Sequence, residues 1–163
     1  MKKQKNNLSA ATFGAGCFWG IENAFMQTRG VIKTIVGYMG GKIKNPTYEE
    51  VCSDTTEHAE VVQVIYDSAI VTYEDLLQVF WNNHNPTTLN KDGPNVGTQY
   101  RSVIFFHTKE QEKIAQESKN ELEKSKKYSK PIVTVIEVAK KFYPAEEYHQ
   151  KYYQKKGIKS CHI

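Results

Sequence analysis

Ala10-Ala11-Thr12-Phe13-Gly14-Ala15-Gly16-Cys17-Phe18-Trp19-Gly20-Ile21-Glu22-Asn23-Ala24-Phe25-Met26 reads as a strand that turns through glycines into a helix. Residues 10–13 form a short strand-like run, whereas Ile21, Ala24, Phe25 and Met26 recur at helical spacing. The period changes across Gly14 and Gly16, which puts Cys17 near the first turn of the helix. Backbone N–H groups are unpaired there and the helix dipole favours an anion, so a thiolate is stabilised and the thiol becomes a usable nucleophile near neutral pH. The same position also suits a cysteine that fills space under a glycine turn, since free cysteine is among the most buried residue types.

Outward from this junction, residues 30–38 open on a glycine and carry β-branched residues, which predicts a strand running into the Gly40-Gly41 turn. Asn45-Pro46-Thr47 marks a further turn before a short extended or helical piece over 48–52. Residues 58–66 are apolar enough for a central strand. Thr72, followed by Glu74 and Asp75, predicts a capped helix carrying Leu76, Leu77, Val79, Phe80 and Trp81 and stopping before Asn85-Pro86. Residues 87–99 read as a long loop, of the kind that often carries function. A strand over 100–106, a charged helix over about 109–127 and a strand over 132–138 complete the pattern. The order β-α-β-β-α-β-α-β mixes hairpin and crossover links. It predicts a single α+β domain over 1–163, a mixed β-sheet with packed helices in a ferredoxin-like two-layer core. Residues 1–9 are expected to be flexible, and 140–163 to form a long irregular tail ending in Cys161-His162-Ile163.

The 163 residues can bury a core without disulfide staples. The three cysteines, Cys17, Cys52 and Cys161, are odd in number and widely spaced, which suits neither a disulfide framework nor a zinc site; redox or nucleophilic chemistry is their better use. The formal charge of +4 is spread over lysines at the termini and over 124–130, where glutamates precede them, so it reads as a solvated face. No basic stripe with interleaved aromatics calls for nucleic acid. The basic start leads into no apolar signal region and no run approaches the roughly 20 apolar residues of a membrane span, so the expected compartment is the cytoplasm.

Several groups can assemble around Cys17. Tyr48 and Tyr100 offer phenols beside turns, although each also suits a core or rim position. Glu60 either begins its strand in solvent or enters the sheet beside apolar residues, where a raised pKa leaves it protonated and able to donate. His58 can be read as a base for Cys17 in a cysteine hydrolase, or as a residue that holds its loop by hydrogen bonds. His84 and His149 read as structural, and no metal-ligand spacing is present. Phe18 and Trp19 are either core aromatics or an apolar cage for a small methyl-bearing, thioether-like group. A third reading is a redox switch in which Cys17 and Cys161 pair without catalysis.

Gly16-Cys17-Phe18-Trp19-Gly20, Gly37-Tyr38-Met39-Gly40-Gly41, Asn45-Pro46-Thr47-Tyr48-Glu49-Glu50-Val51-Cys52, His58-Ala59-Glu60, Phe80-Trp81-Asn82-Asn83-His84-Asn85-Pro86 and Gly97-Thr98-Gln99-Tyr100-Arg101-Ser102 stand in unbroken order over about 13–153. In these motifs the chain resembles the peptide methionine sulfoxide reductases of the A type. The resemblance implies repair of the S epimer of methionine sulfoxide, free or in oxidised proteins, to methionine. It implies Cys17 as nucleophile, Glu60 as acid, Tyr48 and Tyr100 as hydrogen-bond donors to the sulfoxide oxygen, and Phe18 with Trp19 around the methyl group. It further implies a sulfenic acid on Cys17, resolution by Cys161, thioredoxin as external reductant and no bound cofactor. Cys52 is expected to be structural. Two departures stand out: Asn95 occupies a position where many relatives carry an acid, leaving an amide to bind substrate, and the tail holds one cysteine where some relatives have two.

Overall fold

The computed structural model describes residues 7–157. Six strands form one sheet in the order β7-β6-β1-β3-β2-β8, with β1 Leu8–Ala15, β2 Val31–Met39, β3 Ala59–Asp67, β6 Ser102–Phe106, β7 Val135–Val138 and β8 Tyr143–Pro144. All neighbours are antiparallel except β6 and β7. The α+β expectation is met by this mixed sheet and its helices, α1 Phe18–Met26, α2 Tyr48–Cys52, α3 Tyr73–Asn82, α4 Lys109–Lys124 and α5 Tyr152–Lys155.

Alternation along β3 explains both faces of the sheet. Val62, Val64 and Tyr66 point to the helix side with Phe13, Val36 and Ile104, while Ala59, Val61, Met39, Val103 and Phe105 close the other side under Phe142. Glu60 therefore shares the helix-side row, at the end of β3 that faces the start of α1. On that side Phe13 stacks on Phe25 of α1 at 5.1 Å and meets Phe80 of α3 at 5.3 Å. Fully burying each such ring is worth about 2–3 kcal/mol, which fixes α1 and α3 on β1. Thr72 caps α3 as expected: its hydroxyl accepts from the Asp75 amide and its own amide donates to the Asp75 carboxylate, both at 3.1 Å.

Three segments differ from expectation. β1 begins at Leu8, with Leu8 opposite Asp67 and Ser9 opposite Tyr66, so residues 8–9 are sheet rather than a flexible lead. The stretch 87–99 contains a two-stranded hairpin, β4 Lys91–Asp92 and β5 Asn95–Val96, followed by a 3-10 turn, Thr98–Tyr100. Residues 140–157 carry short regular pieces within the expected irregular segment: β8, a 3-10 turn at Glu147–His149 and α5. Gln150 pins this segment, accepting from the Val36 amide and donating to the Val36 and Ala145 carbonyls, each at 2.9 Å. Short strands and side-chain bonds to a distant sheet edge leave no periodic trace in sequence.

Candidate active site

Cys17 is the N-cap of α1, in an extended conformation, and is half-buried. The turn before it runs through Gly16 at φ +84, a left-handed conformation that glycine adopts without strain. The first two amides of the helix start are taken, however. The Cys17 amide donates to Asp92 Oδ2 at 3.0 Å, and the Phe18 amide donates to Glu60 Oε1 at 3.3 Å. Two carboxylates thus occupy amides that the sequence reading reserved for a thiolate.

Glu60 is 1% exposed. Burial pushes its carboxyl up from the ordinary 4.5 to about 7, against the lowering effect of hydrogen bonds from Gln99 Nε2 and the Phe18 amide; the nearby charge of Asp92 adds to the rise. Gln99, itself buried, holds Oε2 at 2.8 Å. Near neutrality the site therefore holds a substantial fraction of protonated carboxyl beside the residue that follows Cys17.

Tyr48 opens α2, whose Thr47 cap exchanges hydrogen bonds with Glu50. Tyr100 closes the 3-10 turn after β5. Their side chains act on each other, and the Cys52 thiol acts on Tyr48 as well. Burial holds both phenols well above the ordinary tyrosine range, with the Cys52 hydrogen bond next for Tyr48 and the Glu60 charge next for Tyr100. Both stay neutral donors at any physiological pH. The field of Cys17 also acts on Tyr100, so thiol, carboxyl and phenols converge on one region.

Phe18 is fully buried, stacked on Tyr48 at 6.4 Å and against Tyr38 at 5.8 Å. Trp19 is half-buried; its ring lies on Tyr152 at 3.9 Å and its Nε1 donates to His149 Nδ1 at 3.0 Å. His149 is entirely buried and packs on Tyr48 at 4.3 Å. Glu146 accepts from the Tyr38 hydroxyl and from the Tyr48 amide at 3.1 and 3.0 Å. The C-terminal segment thus builds one wall of the region. Asn95 is half-buried on β5, directly across the hairpin from Asp92.

Asp92, Gln99, Glu146 and His149 were not singled out from sequence as site residues. Gln99 lies inside the Gly97-Thr98-Gln99-Tyr100 motif and was the one of these with a local signal. His58 is no base for Cys17: its Nδ1 accepts from the Gly41 amide at 3.0 Å and its Nε2 bonds the Ile43 carbonyl at 2.7 Å, which uses both ring nitrogens. It holds its loop, as the alternative reading expected. His84 likewise bonds the Phe80 carbonyl and the Ser102 hydroxyl, both at 2.7 Å. Cys52 is exposed and sits at the site's edge, 3.5 Å from Gln99 Nε2, rather than in the core. Cys161 lies outside the described residues. Among the described residues no cluster of His, Cys, Asp and Glu is arranged to hold a metal ion, and no helix is long and apolar enough to cross a membrane.

The family model for peptide methionine sulfoxide reductase matches residues 9–163. A peptide methionine sulfoxide reductase MsrA of Methanoculleus marisnigri is 57% identical over 157 residues, covering 96% of this chain and 96% of that protein. The MsrA of Methanothermobacter thermautotrophicus is 58% identical over 153 residues, 94% of this chain and 90% of that protein. Among solved structures, reduced Mxr1 from Saccharomyces cerevisiae superposes with a TM-score of 0.88 at 36% identity, covering 96% of this chain and 90% of that one. Mxr1 in complex with Trx2 superposes with a TM-score of 0.64 at 27% identity, over 93% of this chain and 89% of that one. Matched by the family model from residue 9 onward and 57% identical to a named relative along 96% of its length, the chain belongs to the peptide methionine sulfoxide reductase family.

Proposed function

We propose that this chain reduces the S epimer of methionine sulfoxide, free and in proteins, through a sulfenic acid on Cys17. The thiolate attacks the sulfoxide sulfur while Glu60 gives its proton to the oxygen. A sulfoxide oxygen leaves poorly until protonated, so nucleophile and acid must flank one sulfur atom. Tyr48 and Tyr100 donate hydrogen bonds to that oxygen as charge develops on it. The S–O bond breaks with the oxygen passing to Cys17, giving methionine and Cys17 sulfenic acid. The Cys161 thiol then displaces water to form a disulfide, which the thioredoxin dithiol reduces.

The observation that carries this reading is the Glu60 carboxyl, 1% exposed, bonded to the amide next to Cys17 and raised to about 7. Trp19 and Phe18 receive the methyl group, with Phe18 backing the site from beneath, and the Asn95 amide hydrogen-bonds the substrate backbone. The solved Mxr1 complex with Trx2 supports a thioredoxin as reductant, and the cytosol is a compartment that supplies one. The antiparallel order β6-β1-β3-β2 with α1 and α3 as its crossovers supports a ferredoxin-like core for the scaffold. Supplied with a racemic methionine sulfoxide and excess dithiothreitol, the enzyme should stop at half conversion. Complete conversion, or hydrolysis of an ester without reductant, would refute the assignment.

A further inference from the structure

The β4–β5 hairpin brings a second carboxylate to the nucleophile. Asp92 Oδ2 accepts from the Cys17 amide at 3.0 Å, across 75 residues of chain. Gly16 makes the approach possible: a Cβ there would lie 2.3 Å from Asp92 Cγ, so the two residues are in close contact. The hairpin is itself braced. The Gly97 amide donates to the Asn90 carbonyl at 2.9 Å, Thr88 Oγ1 to the Lys91 carbonyl at 2.9 Å and the Thr98 amide to Asp54 Oδ1 at 3.0 Å. The Asp92 carboxylate and the Glu60 carboxyl therefore take consecutive amides, Cys17 and Phe18, on either side of the Cys17 Cα.

We propose that Asp92 is a positioning residue for the reaction: it fastens the backbone of Cys17 to the β4–β5 hairpin and holds a negative charge beside both the thiol and Glu60. This inference rests on the reductase reading above. The fastening orients the nucleophile. The charge opposes ionisation of Glu60, keeping it in its acid form at a higher pH than burial alone would. The other groups around Glu60 do not supply that charge. Tyr38, Tyr48 and Tyr100 are phenols held well above their ordinary range by burial, and Gln99 is neutral. Cys52 accepts from Gln99 and acts on Tyr48, while Glu146 and His149 stand behind Tyr38 and Tyr48.

The test is the single-turnover rate of reduction of N-acetyl-methionine sulfoxide amide between pH 5 and 9, for wild type, Asp92→Asn and Asp92→Ala. The rate rises as the thiol ionises and falls as Glu60 does. Asn keeps an oxygen for the Cys17 amide but removes the charge, so the descending, Glu60 limb of the profile should move down by about half a pH unit. Ala removes the bond as well, and its optimum should fall a further tenfold or so below that of Asp92→Asn. An Asp92→Asn profile with an unshifted descending limb overturns the proposal, whatever its height, because a merely structural brace would change the rate and leave that limb in place. An Asp92→Ala optimum equal to that of Asp92→Asn also overturns it. Failure of the wild type to reduce the sulfoxide would instead remove the reductase reading, which keeps the two failures distinct.

Discussion

Glu60→Gln separates what the buried carboxyl does for catalysis from what it costs the fold. In the native protein the carboxyl ionises near pH 7, whereas in the unfolded chain it ionises near its ordinary 4.5. A carboxyl whose folded pKa is raised contributes stability that is fully present below the unfolded value and lost as pH rises through the folded one. Each pH unit between the two values is worth about 1.4 kcal/mol, so wild type gives up about 3 kcal/mol between pH 4 and pH 8. Glutamine has no proton to lose and avoids this loss. Its oxygen can still accept from the Phe18 amide, while Gln99 must turn its amide so that an oxygen faces the new Nε2. That turn moves the Gln99 amide nitrogen off Cys52, and it adds a cost that does not vary with pH. Urea unfolding of both proteins at pH 4, 5, 6, 7 and 8 gives the stability difference at each pH. The advantage of the variant should grow by about 3 kcal/mol from pH 4 to pH 8, most of it between 4.5 and 7. A pH-independent difference would refute the raised pKa and, with it, the role of Glu60 as acid near neutrality. The variant should also lose at least about 100-fold in the chemical step, the usual range for a general acid, with little change in substrate binding.

Other substitutions probe the remaining links. Cys17→Ser should abolish sulfoxide reduction while its thermal melt stays within a few degrees of wild type; residual full activity would remove Cys17 as nucleophile. Cys161→Ser should release one methionine per enzyme in a single turnover yet recycle poorly with thioredoxin, and an unchanged steady-state rate would reject it as resolver. Gly41→Ala places a Cβ 2.4 Å from the Thr56 carbonyl and 2.5 Å from the His58 amide nitrogen, both backbone, in the turn that His58 clamps. It should destabilise by about 1–3 kcal/mol in urea melts, and a loss under about 0.5 kcal/mol would show the turn to be compliant.

How much of this was readable before folding depends on the range of the interaction. The helix over 73–82 announces itself because Thr72 and Asp75 satisfy each other across one turn, and the central strand over 59–67 because its apolar run needs no partner to be recognised. The 87–99 stretch hid its hairpin, since two strands of two residues carry no period. The C-terminal segment looked irregular for a related reason: Gln150, Glu146 and His149 act on β2, Tyr48 and Trp19, more than 90 residues away in the chain.

Cys17 at the start of a helix, a carboxyl at the mouth of an apolar strand and a tail thiol are properties of local pattern and motif, and the sequence alone determined them. Which groups take the amides beside Cys17 was decided only by the tertiary structure. The register of β1 on β3 carries Glu60 under the helix, and the hairpin carries Asp92 over Gly16. A proton's affinity for Glu60 depends on the solvent excluded and the charges gathered around it, and those come from segments that meet only when the sheet has closed.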